Sequence, residues 1–195
     1  MATVARSAPL PDGSALVEDP QFQEILQRSR SLTQKVLLSI KDTHQSCIYT
    51  KSLLLNSSDN SELDLIASSI GLPRAPVLKA GSENFFEDCL PQMSEGLQLH
   101  RALMNAVSPW LQNKDKVAPL TDDIRDLTVQ ITKMLKIFRT ELVPPSPTPV
   151  ALHLKGEYEV QVAAHLILVN LQDFGQDMMR CFRSLEAADD EELDS

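Results

Sequence analysis

Two aspartates, Asp123 and Asp126, stand three residues apart in a stretch whose apolar residues recur at helical spacing. Both carboxylates therefore fall on one side of that helix, away from Ile124, Leu127 and Ile131. Carboxylates so placed can hold a guanidinium bidentately, which fixes orientation as well as supplying energy. In an earlier stretch, Gln21, Glu24 and Arg28 share one face in the same way. His165 lies mid-helix beside an apolar stripe, with no second His, Cys or carboxylate at metal-ligand spacing on its own helix, and it reads as a hydrogen-bonded structural histidine. His44, His100 and His153 are equally isolated along the chain. Cys47, Cys89 and Cys181 form no C-x-x-C pair. No Gly-rich phosphate loop, nucleophile elbow or metal motif occurs, so the expectation is a protein without catalytic, cofactor or metal sites, whose chemistry is recognition. Asn56-Ser57-Ser58 is an N-glycosylation acceptor in a predicted surface loop.

Four long helical stretches must position these groups. The first opens at Asp19-Pro20, an N-cap residue followed by proline at the first helical position, and runs over roughly 20–45 with Phe22, Ile25, Leu26, Leu32, Val36, Leu37 and Ile40 facing inward. A long connection follows, with a short helix expected over 61–69 and a Gly/Pro exit at Gly71, Pro73 and Pro76. The second helix begins between Ser82 and Pro91 and buries Leu90, Met93, Leu97, Met104, Val107 and Leu111. A short polar link leads to the third, in which Thr121 is predicted to cap a first turn carrying Asp122 and Asp123. Its core face is Ile124, Leu127, Ile131, Met134, Leu135 and Phe138. The prolines of Val143–Pro149 exclude helix and open a second long connection. The fourth helix spans about 157–186, burying Ala163, Leu166, Ile167, Phe174, Met178, Cys181 and Leu185.

Long, short and long links between four helices are what an up-up-down-down bundle requires, because its first two helices, and again its last two, run parallel. The expected fold is accordingly all-α, an up-up-down-down four-helix bundle with two long crossovers. The expected organisation is a flexible segment over 1–18, one domain over 19–186 and a disordered acidic tail over 187–195. In such a bundle Cys47 and Cys89 lie at opposite ends, beyond disulfide reach. Cys89 and Cys181 share an end, which leaves one bridge between them open, and they read first as two buried thiols packed as small hydrophobes.

The chain has 195 residues, 43% of them hydrophobic, enough for one well-buried core. Acids exceed bases 27 to 18, a net charge of −9. That balance disfavours nucleic acid and anionic lipid as partners and favours a protein with a basic face. No apolar run reaches the ~20 residues of a membrane span, so membrane insertion is not expected. Met1 to Ser7 lacks an apolar signal core, yet Ala5-Arg6-Ser7 carries small residues at the two positions that a signal peptidase reads. A secreted protein whose leader is truncated or already removed fits this, as does an intracellular helical adaptor without enzymatic activity.

Four motifs favour the first of those readings: Ile70-Gly71-Leu72-Pro73-Arg74-Ala75-Pro76, Glu95-Gly96-Leu97-Gln98-Leu99, Val107-Ser108-Pro109-Trp110-Leu111 and Val162-Ala163-Ala164-His165-Leu166. In residues and order they resemble the granulocyte colony-stimulating factor and myelomonocytic growth factor family, from about Phe22 to Leu185. The resemblance implies a secreted, non-enzymatic ligand, monomeric before it binds, that brings together class I cytokine receptor chains on granulocyte-lineage cells. It places the main receptor contacts on Glu24, Asp123 and Asp126, with Gln21 and Arg28 flanking. It also aligns Lys51 with an acidic residue of the family's second receptor surface, a reversal of sign. Leu53 and Leu54 nearby are expected to tuck under the first crossover. The family's two local disulfides are not reproduced, because the partners expected for Cys47 and Cys89 are replaced by Lys41 and Ala80.

Overall fold

Asp19 and Pro20 act as their types dictate. The Asp19 carboxylate accepts from the Gln21 N–H at 2.8 Å, and proline begins the helix where no backbone donor is needed. The computed structural model describes residues 13–57, 61–81, 84–138 and 149–192. Its helices are α1 (Gly13–Val17), α2 (Pro20–Cys47), α3 (Ser61–Ile70), α4 (Leu90–Val107), α5 (Val117–Phe138) and α6 (Glu157–Glu192). No strand occurs among the described residues, and the fold is an all-helical bundle. The sequon's Ser58, most of the Pro-rich stretch and the Ala5-Arg6-Ser7 site lie outside the described residues.

A side chain from α6 ends α2. The buried Gln161 amide donates to the Cys47 carbonyl at 2.8 Å, and its oxygen accepts from the N–H groups of Tyr49 (2.9 Å) and Thr50 (3.3 Å). One glutamine thus satisfies backbone groups that the helix terminus leaves unpaired. At the end of α3, Gly71 takes φ 72°, and the N–H groups of Gly71 and Leu72 bond back to Ser68 and Ala67. That is the left-handed helix stop that glycine adopts without a Cβ penalty.

Several boundaries differ from the sequence expectation. The start of α4 at Leu90 does fall in the expected interval, fed by a π-helical turn, Phe85–Cys89, that buries both phenylalanines. The third long helix starts at Val117, before Pro119, because proline is tolerated in a first turn. Thr121 is therefore inside α5, buried, with its hydroxyl donating to the Ala118 carbonyl at 2.9 Å rather than capping the helix. The segment expected to be flexible over 1–18 contributes Leu16 and Val17 to the core, since burying two large aliphatic side chains repays ordering the short α1. Helix α6 continues past Glu186 to Glu192, into the stretch expected to be disordered. Leu53 is buried, but Leu54 is 63% exposed, because only one of the adjacent leucines can turn under the connection.

The apolar stripes meet as their spacing requires. Phe22, Leu26, Val36 and Ile40 of α2 are buried, as are all the inward residues predicted on α4, α5 and α6. Helix α2 packs on α5 and α6, α4 packs on the same two, and α3 lies on α6. Close approach is built in at two glycines. A Cβ on Gly96 would stand 2.2 Å from Phe174 Cζ, and one on Gly175 would stand 2.8 Å from Leu37 Cδ2. The small-residue gaps let α6 seat against both α4 and α2.

Candidate functional site

Gln21, Glu24 and Arg28 are all exposed on one stripe of α2. Lys35 continues that stripe about three turns, or about 16 Å, beyond Glu24. Its ammonium donates to the Asp123 carboxylate at 2.6 Å, bridging α2 to α5. This hydrogen bond, then the Asp123 charge, raises the Lys35 pKa above its ordinary value. Asp123 is 13% exposed in its side chain and is held at the α2–α5 seam. Asp126 is open to solvent and pairs with Arg125 at 3.1 Å, while Arg125 also takes Asp122 at 3.1 Å.

Asp123 and Asp126 both act on Lys35 at the α2–α5 seam, and the structure does not bring Glu24 up to them. Glu24 stands well along α2 from the Lys35–Asp123 bridge and makes no ion pair among the described residues. Asp123 and Asp126 already hold cations of their own chain, so a guanidinium arriving from outside must displace them. The Arg125 pairs are exposed and contribute only about 0–1 kcal/mol, so displacement at Asp126 costs little, whereas Asp123 is the less accessible of the two. Sequence reasoning missed Lys35 and Arg125. Lys35 was visible as the next member of the Gln21, Glu24, Arg28 stripe, and Arg125 as the residue three after Asp122.

Lys51 lies at the end of the molecule where α2 finishes, exposed beside Leu54. Here Glu157, at the start of α6, accepts from the Gln112 amide and from the Tyr49 hydroxyl. The Tyr49 pKa is raised by that bond to Glu157, with burial contributing less. Tyr49, Trp110 and Tyr158 all expose half or more of their surface. Large amphipathic aromatics are the side chains that dominate contact energies when buried by a partner. Asn56 is exposed in the following turn.

Three of the four histidines meet partners in space. His44 Nε2 and His165 Nδ1 lie 2.9 Å apart in the α2–α6 interface, both rings buried. One ring must donate and the other accept, so at most one nitrogen of this contact carries a proton. Burial, and secondarily the neighbouring His44, pushes His165 down to about 4, and burial lowers His44. His100 is buried against Phe174 with Nδ1 2.7 Å from the Gly96 carbonyl, and burial pushes it to about 4. Sequence spacing could not reveal the His44–His165 pair, because the partners come from different helices. Among the described residues no group of three or more His, Cys, Asp or Glu could hold a metal ion.

All three cysteines are free and buried. Burial pushes the Cys47 thiol up to about 11. Cys89 Sγ and Cys181 Sγ are 3.1 Å apart. The net negative charge is unevenly spread, since Arg101, Arg125, Lys133 and Lys136 line a groove of about 500 Å³ between α4 and α5. No helix among the described residues is long and apolar enough to cross a membrane. No protein-family model and no curated protein matches the chain.

Proposed function

We propose that this chain is a secreted long-chain helical cytokine, akin to the granulocyte colony-stimulating factor family, that binds and dimerises a class I cytokine receptor on granulocyte-lineage cells. The observation that carries the reading is the direction in which the helices meet. Arg30 pairs with Glu186, whereas His44 pairs with His165, so residue numbers rise along α2 as they fall along α6. Cys89 with Cys181, and His100 with Phe174, give the same opposition for α4 and α6. Lys35 meets Asp123, while Phe86 bridges Phe22 to Phe138, which opposes α2 to α5. Two helices that both oppose α6 run parallel to each other. This supports an up-up-down-down bundle, the arrangement that two long links serve.

Gln21, Glu24, Arg28, Asp123 and Asp126 then make up the main receptor face. A charged edge spanning two helices suits a receptor surface that supplies arginines. The Lys51 end, with Tyr49, Trp110 and Tyr158, is the second receptor surface, and recognition there rests on aromatics in place of the family's acid. Two separate faces on a monomer are what bringing two receptor chains together demands.

Titrating the purified chain against the ectodomain of a granulocyte colony-stimulating factor receptor from the same source tests this. Saturable binding that assembles two receptor chains is the expected result. An ectodomain left unbound at micromolar concentrations sinks the proposal.

A further inference from the structure

We propose that Cys89 and Cys181 are a disulfide-forming pair that locks the entry of α4 to the last turns of α6. Their sulfurs stand 3.1 Å apart, closer than two unbonded sulfurs ordinarily pack. Reaching the covalent length of 2.03–2.05 Å needs a closure of about 1 Å, within reach of small side-chain torsions. The inference needs only an oxidising environment and does not rest on the cytokine reading.

Cys89 ends the π-helical turn whose Phe85 and Phe86 wedge among Phe22, Phe138 and Phe182. Cys181 adjoins Phe182 on α6. A bond between them would fasten this aromatic cluster from one side. It would also close a chain loop with a sequence separation of 92, long enough for a cross-link to restrict the unfolded ensemble strongly.

The pair is chemically asymmetric. The hydrogen bond with Cys181 lowers the Cys89 pKa and raises that of Cys181, which burial also raises. The exchange can begin at Cys89, through its thiolate. It attacks one sulfur of a disulfide donor such as oxidised glutathione, forming a mixed disulfide and expelling one glutathione thiolate, which takes up a proton. Cys181, losing its proton, then attacks Cys89 Sγ and expels the second glutathione. Two protein thiols are oxidised, and the donor disulfide is reduced to two thiols. Both cysteines are buried, so exchange takes place during folding or on local opening.

Cys47 cannot compete. It is tied to Gln161, and Gln161 and Cys181 are separated by about 30 Å along α6.

The experiment refolds the full reduced chain in an oxidised/reduced glutathione buffer, alkylates free thiols, and maps peptides without reduction. The expected result is a Cys89–Cys181 cross-linked peptide with Cys47 alkylated. Reduction should then lower the melting temperature by roughly 5–15 °C. Finding all three cysteines alkylated, or Cys47 in an intramolecular bond, overturns the proposal. A Cys47→Ala variant should still lose two hydrogens on oxidation. A Cys181→Ala variant should show no dependence of melting on reductant, and retention of that dependence also overturns it.

Discussion

His165 and His44 show how much a residue's chemistry depends on what faces it. Each is a lone imidazole in its own helix, yet together they form a neutral, hydrogen-bonded pair inside the α2–α6 interface. Folding lowers the pKa of His165 and His100 from 6.5 to about 4, so the unfolded chain binds more protons between those values. Stability therefore rises with pH through this window and is lost as pH falls from 6.5 towards 4, by a few kcal/mol in all. Thermal melting across pH 4–8 should show a plateau above 6.5 and a steep fall below it. His165→Gln keeps a hydrogen-bonding group that does not titrate, and should flatten that fall. On the surface the logic differs. Glu24 is exposed and without an ion pair among the described residues, so Glu24→Lys should shift stability by only about ±0.5 kcal/mol. If it meets a receptor cation, the same change should weaken binding roughly 30-fold or more, as a desolvated charge contact worth about 2–5 kcal/mol would. Calorimetric titration of this variant at unchanged helicity separates the two effects, and parent-like affinity removes Glu24 from the receptor face.

Helix seating is decided by very few atoms. Gly96 sits where Phe174 presses against α4, and the Phe174 ring leaves no room for a methyl group. Gly96→Ala has the better helix propensity, yet overpacking should outweigh it and destabilise the protein by about 1–3 kcal/mol. Chemical denaturation should show a lower midpoint with a slope close to that of the parent. A midpoint unchanged or raised would mean that Phe174 swings aside freely. The inward face of α4 was readable from its apolar spacing, but the need for glycine at 96 was not, because it arises from a ring that α6 supplies. Thr121 teaches a similar lesson. As an N-cap candidate it fitted the local pattern, but Val117 and Leu120 are buried in the core, and the helix starts earlier, with Pro119 in its first turn.

Across the whole molecule, the opposed contacts of α6 with α2 and α4 set the expected arrangement of ends. Lys51, after α2, and Asn113, after α4, should lie at the same end, near the Tyr49–Glu157–Gln112 contact. Arg183, late on α6, should lie at the other end, since the stretch from Gln161 to Arg183 alone spans about 33 Å. Spin labels attached through non-cysteine chemistry would measure this. The Lys51–Asn113 distance should be clearly the shorter, and the reverse order would exclude the parallel α2–α4 pairing. The two faces proposed for receptors lie along the α2–α5 edge and at the Lys51 end, so a variant at one should leave first-receptor binding at the other intact. The basic α4–α5 groove shows that the acidic total describes the molecule's average and not each face.

The sequence by itself determined that the chain forms long amphipathic helices with long, short and long links, and which side of each helix is buried. Those properties are periodic and local, and hydrophobic burial enforces them wherever the partner helix comes from. It also determined the start of α2 and the exit at Gly71, which depend on the residue types at hand. Only the tertiary structure decided that Lys35 occupies Asp123, that Gln161 finishes α2, that His44 finds His165, and that Cys89 touches Cys181. Each of these joins residues far apart in the chain. Such contacts are set by the rotation and axial offset of one helix against another, and packing at sites such as Gly96–Phe174 and Gly175–Leu37 fixes those offsets through atoms that no single helix contains.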